Sequence, residues 1–308
     1  MSPAEAAAIL AAGVAAGGIN AVVGSGSLIT FPTLLAFGFP PVVANVSNNV
    51  GLVPGNFSGA FGYRRELAGQ RHRLSRLGVA AAAGGLTGAI LLLSLPASAF
   101  TLIVPALILM ACVLVLIQPR LGPWLMARRA RADSAGKQEG CASQEGPGGQ
   151  GGGAGREGPG GQGGGAGREG PGGQGGGAGR EGRAGQEGRA GHGGPVLGAG
   201  VLLSGVYGGY FGAAQGVLVI GLLGSFLDES LQRVNGAKNV LVALVNTTAA
   251  MVFILFAHVA WLAVLLIAAG STIGGLLGAK FGRRLPPTAL RMLVVVIGVA
   301  AAVKLLFF

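Results

Sequence analysis

Residues 231–244 read "LQRVNGAKNVLVAL". The stretch leads into a long apolar run, yet it places Arg233, Asn235, Lys238 and Asn239 in its first turns. Asn235, Lys238 and Asn239 are spaced i, i+3, i+4, and Asn246 follows three turns later. At about 100° per residue these four share one face of a helix. An amide left unpaired in lipid is costly, so such a face turns toward protein or a wet cavity. Hydrogen bonding between helices would by itself account for the asparagines. Lys238 is harder to absorb, because a charge inside a membrane segment marks a functional site by default. Its place near the start of the segment also allows its amine to snorkel to the interface.

The rest of the chain supplies the membrane. It has 308 residues, 51% hydrophobic and only 11% charged, with a mean hydropathy of +0.62, far from a soluble domain. Long apolar runs recur at 6–23, 42–63, 77–95, 100–117, 196–211, 240–257, 261–279 and 290–308. A helix needs about 20 residues to cross a hydrocarbon core of about 30 Å. The sequence therefore predicts an all-α polytopic membrane protein with about eight spanning helices. The start, "MSPAEAAAILAAGVAAGG", lacks the basic region of a cleaved signal and reads as the first membrane segment.

The formal charge of +11 does not point to nucleic acid. Arg64, Arg65, Arg71, Arg73 and Arg76 share one loop; Arg128, Arg129 and Arg131 follow one span, and Lys280, Arg283 and Arg284 another. Basic clusters beside spans are what the positive-inside rule requires. Cys112 and Cys141 have no metal-ligand spacing and give no disulfide framework.

Residues 132–194 have a different composition. "EGPGGQGGGAGR" occurs three times in succession, from Glu145, Glu157 and Glu169. Nothing there can bury apolar surface, which predicts a disordered linker between a first membrane half, 1–131, and a second, 195–308. The halves resemble each other. Adding 190 to a residue number maps Asn45 to Asn235, Asn49 to Asn239 and Asn56 to Asn246, and "GGLTGA" at Gly84 to "GGLLGA" at Gly274. This is an internal repeat, as in many secondary transporters. The basic loop "YRRELAGQRHRLSR" of the first half corresponds to the uncharged join in "ILFAHVAWLAVLL", whereas the uncharged "SLPAS" corresponds to the basic "AKFGRRLPP". If cations stay inside, equivalent loops lie on opposite sides, which makes the repeat inverted. That requires an odd number of crossings per half. The short runs 28–39 and 217–227 then become broken or re-entrant segments. Eight plain helices in a parallel repeat are the alternative.

Each short run follows a glycine-rich break. The first reads "VVGSGSLITFP", with Ser25 and Ser27 between glycines; the second reads "GYFGAAQGVLV", with Gln215. Glycine releases helical geometry, and a helix N-terminus after a break favours an anion. Close packing by small residues is the plainer explanation of the glycines. The polar residues at matching places shift the reading toward a site. His258 and Trp261 fit an interfacial belt. No span carries an apparent buried Asp or Glu, and no Walker lysine, Ser/His/Asp set or metal spacing occurs. Catalysis and ATP-driven pumping are poorly supported.

The motifs "GSGSLITFPTLL", "VANVSNNVGLV", "GYRRE", "QRVNGAKNVLVALVN" and "GGLLGAKFGRRLP" together resemble the TauE/SafE family of sulfite and sulfonate exporters. The likeness covers both membrane halves and not the linker. The first break departs from the family's triple glycine at Ser25 and Ser27, and the second has Ala213, Ala214 and Gln215. The resemblance implies a plasma-membrane permease for small sulfite-like or organosulfur anions, working without a cofactor. The expected site residues are Lys238, Asn239, Asn235, Asn246, Asn45, Asn49, Asn56, Ser25, Ser27 and Gln215. Lys238 would attract the anion and the asparagines would replace its hydration. Arg233 would either join them or be neutralised by Asp228 and Glu229. The expected partners are a small anion and the lipid bilayer, with the linker in the cytoplasm. A membrane scaffold or sensor, recruiting a partner through the linker, is the rival reading.

Overall fold

Among the described residues of the computed structural model, which are 1–117, 194–227, 229–281 and 287–307, the regular elements are all helices. The first half contributes α1 (Pro3–Val22), α2 (Ser27–Ala36), α3 (Pro41–Gly62) and α4 (Arg71–Ser94), then α5 (Ala97–Ile117). The second contributes α6 (Gly194–Tyr210), α7 (Gln215–Phe226), α8 (Leu231–Phe256), α9 (Trp261–Phe281) and α10 (Pro287–Phe307). The linker up to residue 193 and the basic residues 128, 129, 131, 283 and 284 lie outside the described residues, and Gly194, expected as the end of the linker, opens α6.

Helices α1, α4, α5, α8 and α9 are long and apolar enough to cross a membrane. α3 is of similar length, but Asn45, Asn48, Asn49 and Asn56 dilute its apolar content. The short pair α2 and α7 stands where broken segments were expected. One difference concerns α8, which begins at Leu231, nine residues before the apolar run that suggested it. Its polar first turns are helical because their amides and amine are buried against α1, which apolar-run counting cannot register.

Polarity is turned inside out relative to a soluble protein. Leu102 is 80% exposed, whereas Asn48 is 2% exposed. Water would penalise that exterior, and hydrocarbon would not.

The halves interlock. α1 packs along α9 of the other half, and α4 along α6. Glycines set the separation. A Cβ at Gly274 would lie 2.0 Å from the Val14 carbonyl oxygen, and one at Gly88 would lie 2.1 Å from that of Val206. Backbones this close exclude any side chain and exploit dispersion and weak polar contacts.

Contacts between α3 and α8 fix the relation of the repeats. The end of α3 meets the start of α8, where Asn235 Nδ2 donates to the Tyr63 hydroxyl at 3.0 Å. The start of α3 meets the far end, where the backbone N–H of Ala260, just beyond α8, donates to Ser47 Oγ at 2.9 Å. These equivalent helices therefore run antiparallel, and the repeat is inverted. Gly62 abuts Ala279, so the ends of α3 and α9 share a side. Arg64 and Arg65 in the loop after α3, and Arg71, Arg73 and Arg76 in the first turns of α4 rather than in that loop, thus lie on the same side as Arg233 and Lys280, as the positive-inside rule predicts.

On that side Glu229 joins the halves. It accepts from Arg73 at 3.1 Å and from Arg233 at 2.5 Å, and Arg233 also donates to the Ala68 carbonyl at 3.3 Å. Arg233, in the first turn of α8, is therefore paired by Glu229 just before the helix. Burial works to raise the Glu229 pKa, and the hydrogen bonds and charges of the two arginines more than offset it, leaving the carboxyl below its usual value. A carboxylate lowered on folding stabilises the fold above its unfolded pKa, about 4.3, and that contribution is lost as pH falls through the folded value. We expect Glu229→Gln to cost less than about 1 kcal/mol at neutral pH. The Tm difference from wild type should vanish only once pH has fallen below the lowered folded value. A difference that persists there would mean the residue acts by packing.

Candidate functional site

The site begins where α1 stops. Val23 and Gly24 N–H groups both donate to the Ile19 carbonyl, at 2.7 and 3.1 Å, and Gly24 turns the chain at φ +86°. The carbonyls of Asn20 and Ala21 then need donors from elsewhere. α8 supplies them. Lys238 Nζ donates to the Asn20 carbonyl at 2.8 Å and to that of Ala21 at 3.2 Å. Asn235 and Asn239 donate to Ala21 at 3.2 and 3.3 Å. Lys238 is 1% exposed, so it does not snorkel: its ammonium sits on the negative end of the α1 dipole.

The second half repeats the device with weaker means. Phe211 and Gly212 N–H groups share the Tyr207 carbonyl, at 2.9 and 3.1 Å, and Gly212 has φ +75°. Asn45 Nδ2 donates to the Tyr210 carbonyl at 2.9 Å. The counterpart of Lys238 is Asn48, whose Oδ1 accepts from the Thr30 hydroxyl.

The two breaks touch. Gly216 N–H donates to the Gly24 carbonyl at 3.1 Å, and a Cβ on either glycine would lie 2.5 Å from the other's Cα. The N-termini of α2 and α7 are thereby brought to one place, each contributing partial positive charge. Ser25 and Gln215, at those two N-termini, are 1% and 2% exposed, and Ser25 Oγ has no hydrogen-bond partner. Ser27 opens α2 and is half-buried. Aromatic rings brace the region: Phe31 packs edge-on against Phe211 at 5.3 Å, and Phe100 against Tyr210 at 5.9 Å.

Of the residues singled out in the sequence, Asn235, Lys238 and Asn239 converge on one helix end, and Asn45 on its counterpart. Asn56 pairs with Asn20. Asn49 Oδ1 and Asn246 Oδ1 are buried without a hydrogen-bond partner. Asn20 was not anticipated. Its backbone carbonyl takes Lys238, while its side chain accepts from Gly26 N–H at 3.4 Å and donates to Asn56. It therefore connects the ammonium, the first break and α3. Its repeat counterpart is Tyr210, so the 190-residue shift could not flag it; its place four residues before Gly24 was the only signal.

The family model of the sulfite exporter TauE/SafE matches residues 9–305. The chain belongs to the TauE/SafE family. No curated protein and no solved structure shows a significant match. Membership in the TauE/SafE family makes the chain a membrane transporter of the sulfite-exporter kind. No group of three or more His, Cys, Asp or Glu placed to hold a metal ion occurs among the described residues. The polar inventory is instead amides, hydroxyls, backbone ends and one ammonium, which can bind and release an ion without covalent steps.

Proposed function

We propose that this TauE/SafE protein is a secondary transporter that exports small sulfur oxyanions, sulfite or organosulfonates, across the cell membrane by alternating access. The observation that carries this reading is the contact of Gly24 with Gly216, which sets two helix N-termini against one another beside buried Ser25 and Gln215. An oxyanion there accepts from backbone N–H groups and hydroxyls, as anions do at broken helices of other inverted-repeat transporters. Lys238 supplies positive charge through the end of α1, and Asn56 and Asn246 offer amides in place of water. Ser27 lies at the more accessible rim. Rocking of one interlocked repeat against the other exposes the site to each side in turn. The arginine-rich side is the cytoplasmic one, and the linker belongs to it.

Flux of labelled sulfite and of a labelled sulfonate from proteoliposomes tests the proposal. Wild type should release at least one of them well above protein-free vesicles. A chain shortened within 132–194, with the ends still joinable, should release it as fast. Release of neither anion would sink the substrate assignment. Flux abolished by the shortening would favour the scaffold or sensor reading, in which the linker carries the activity.

A further inference from the structure

The two repeats end their first helices alike but neutralise them differently. At the end of α1 the ammonium of Lys238 rests on the Asn20 and Ala21 carbonyls, at 2.8 and 3.2 Å. At the equivalent end of α6 the Tyr210 carbonyl receives Asn45, at 2.9 Å. The residue in the place of Lys238 is Asn48, since 48 plus 190 is 238. A fixed cation in one repeat is thus matched by a neutral amide in the other. The Thr30 hydroxyl meets that amide, and a second buried amide follows it in sequence. Asn48 Oδ1 and the Thr30 hydroxyl are in contact. Asn49 Oδ1, on the next residue, is buried with no hydrogen-bond partner. Thr30, Asn48 and Asn49 are 1%, 2% and 6% exposed.

We infer that a sodium ion binds at the end of α6, on the Tyr210 carbonyl and the oxygens of Asn48, Asn49 and Thr30, in the role that the Lys238 ammonium has at the end of α1. The electrostatic demand is the same in both places, because each helix end carries about half a negative charge. The donors are hard oxygen atoms, which suit an alkali cation, and ends of broken helices bind such cations in inverted-repeat transporters. A proton does not serve. Asn45, Asn48, Asn49 and Thr30 do not titrate, and the acid within the described helices is Glu5, held in a capping box with Ser2 at the far start of α1. The inference rests on these contacts and on the match of Asn48 to Lys238 between the repeats, and does not depend on which anion the protein moves.

Thermal unfolding and equilibrium binding of radiolabelled sodium to the purified full-length protein test the inference without measuring transport. Sodium chloride should raise Tm saturably by about 4 °C over choline chloride at equal ionic strength. Asn48→Lys, which carries its own ammonium to the site, should bind no sodium and lose the response. Asn49→Ala and Thr30→Val should weaken sodium binding by about tenfold or more. If Asn48→Lys does not fold, those two variants decide. Equal Tm in sodium and choline overturns the inference, as does sodium binding that is unchanged in Asn49→Ala and Thr30→Val.

Discussion

Lys238→Met is expected to reduce anion flux by about a hundredfold while lowering stability by only about 1–2 kcal/mol. Methionine keeps most of the volume of a side chain that is 1% exposed, so the change removes charge and hydrogen bonds rather than packing. Two bonds from the ammonium, at 2.8 and 3.2 Å, are lost, and bonds from a charged donor contribute about 1.5–3 kcal/mol each. Two effects limit the loss of stability. The Ala21 carbonyl keeps Asn235 and Asn239 as donors, and deleting a buried charge also removes its desolvation penalty. Transport has no such compensation. The anion loses the positive charge near its site, and about 1.4 kcal/mol of lost binding already lowers affinity tenfold. Denaturant unfolding and proteoliposome flux of the same variant separate the two effects. Stability and flux that fall in proportion would make Lys238 a helix cap alone. Flux retained at the wild-type rate would remove it from the anion pathway.

Much of this arrangement was legible from residue positions. The shift that maps Asn45 to Asn235 also maps helix onto helix: Pro41 opens α3 and Leu231 opens α8, while Ala97 opens α5 and Pro287 opens α10. The loop charges predicted inversion, and the Tyr63–Asn235 and Ser47–Ala260 contacts place the repeats antiparallel. What stayed hidden was the partner of each polar group. Spacing puts Asn235, Lys238 and Asn239 on one face, but cannot say that the face meets the terminal carbonyls of α1, because those are backbone atoms of apolar residues such as Ala21. Asn20 was illegible for a related reason. Its role comes from standing in the last turn before a break that closes on another break from the far half of the chain. Such closure is tertiary, and neither periodicity nor composition carries it. The glycines gave the opposite difficulty. Many are close-packing residues, as at Gly88 and Gly274, and the sequence does not distinguish those from the pair that joins the breaks.

Gly24→Ala should be far more damaging than Gly38→Ala, although the two glycines have nearly the same backbone conformation, at φ +86° and +81°. The left-handed region costs a residue with a Cβ about 1–2 kcal/mol, and both substitutions incur it. Only Gly24 meets anything. Its added Cβ would lie 2.5 Å from the Gly216 Cα and 2.8 Å from the Gly216 carbonyl carbon, whereas nothing lies within 4 Å at Gly38. Backbone atoms cannot swing aside as a flexible side chain does, so the breaks must separate. Separation also lengthens the Gly216 to Gly24 hydrogen bond, now 3.1 Å. Overpacking adds about 1–3 kcal/mol to the conformational cost, giving roughly 2–5 kcal/mol for Gly24→Ala against about 1–2 kcal/mol for Gly38→Ala. If the anion binds where α2 and α7 converge, Gly24→Ala should also abolish flux in whatever fraction still folds, while Gly38→Ala should transport at near the wild-type rate. Detergent-purified yield and Tm report the first difference, and flux per folded molecule reports the second. Equal effects of the two substitutions would mean that the contact between the breaks is dispensable, and with it the convergence of helix ends on which the anion site depends.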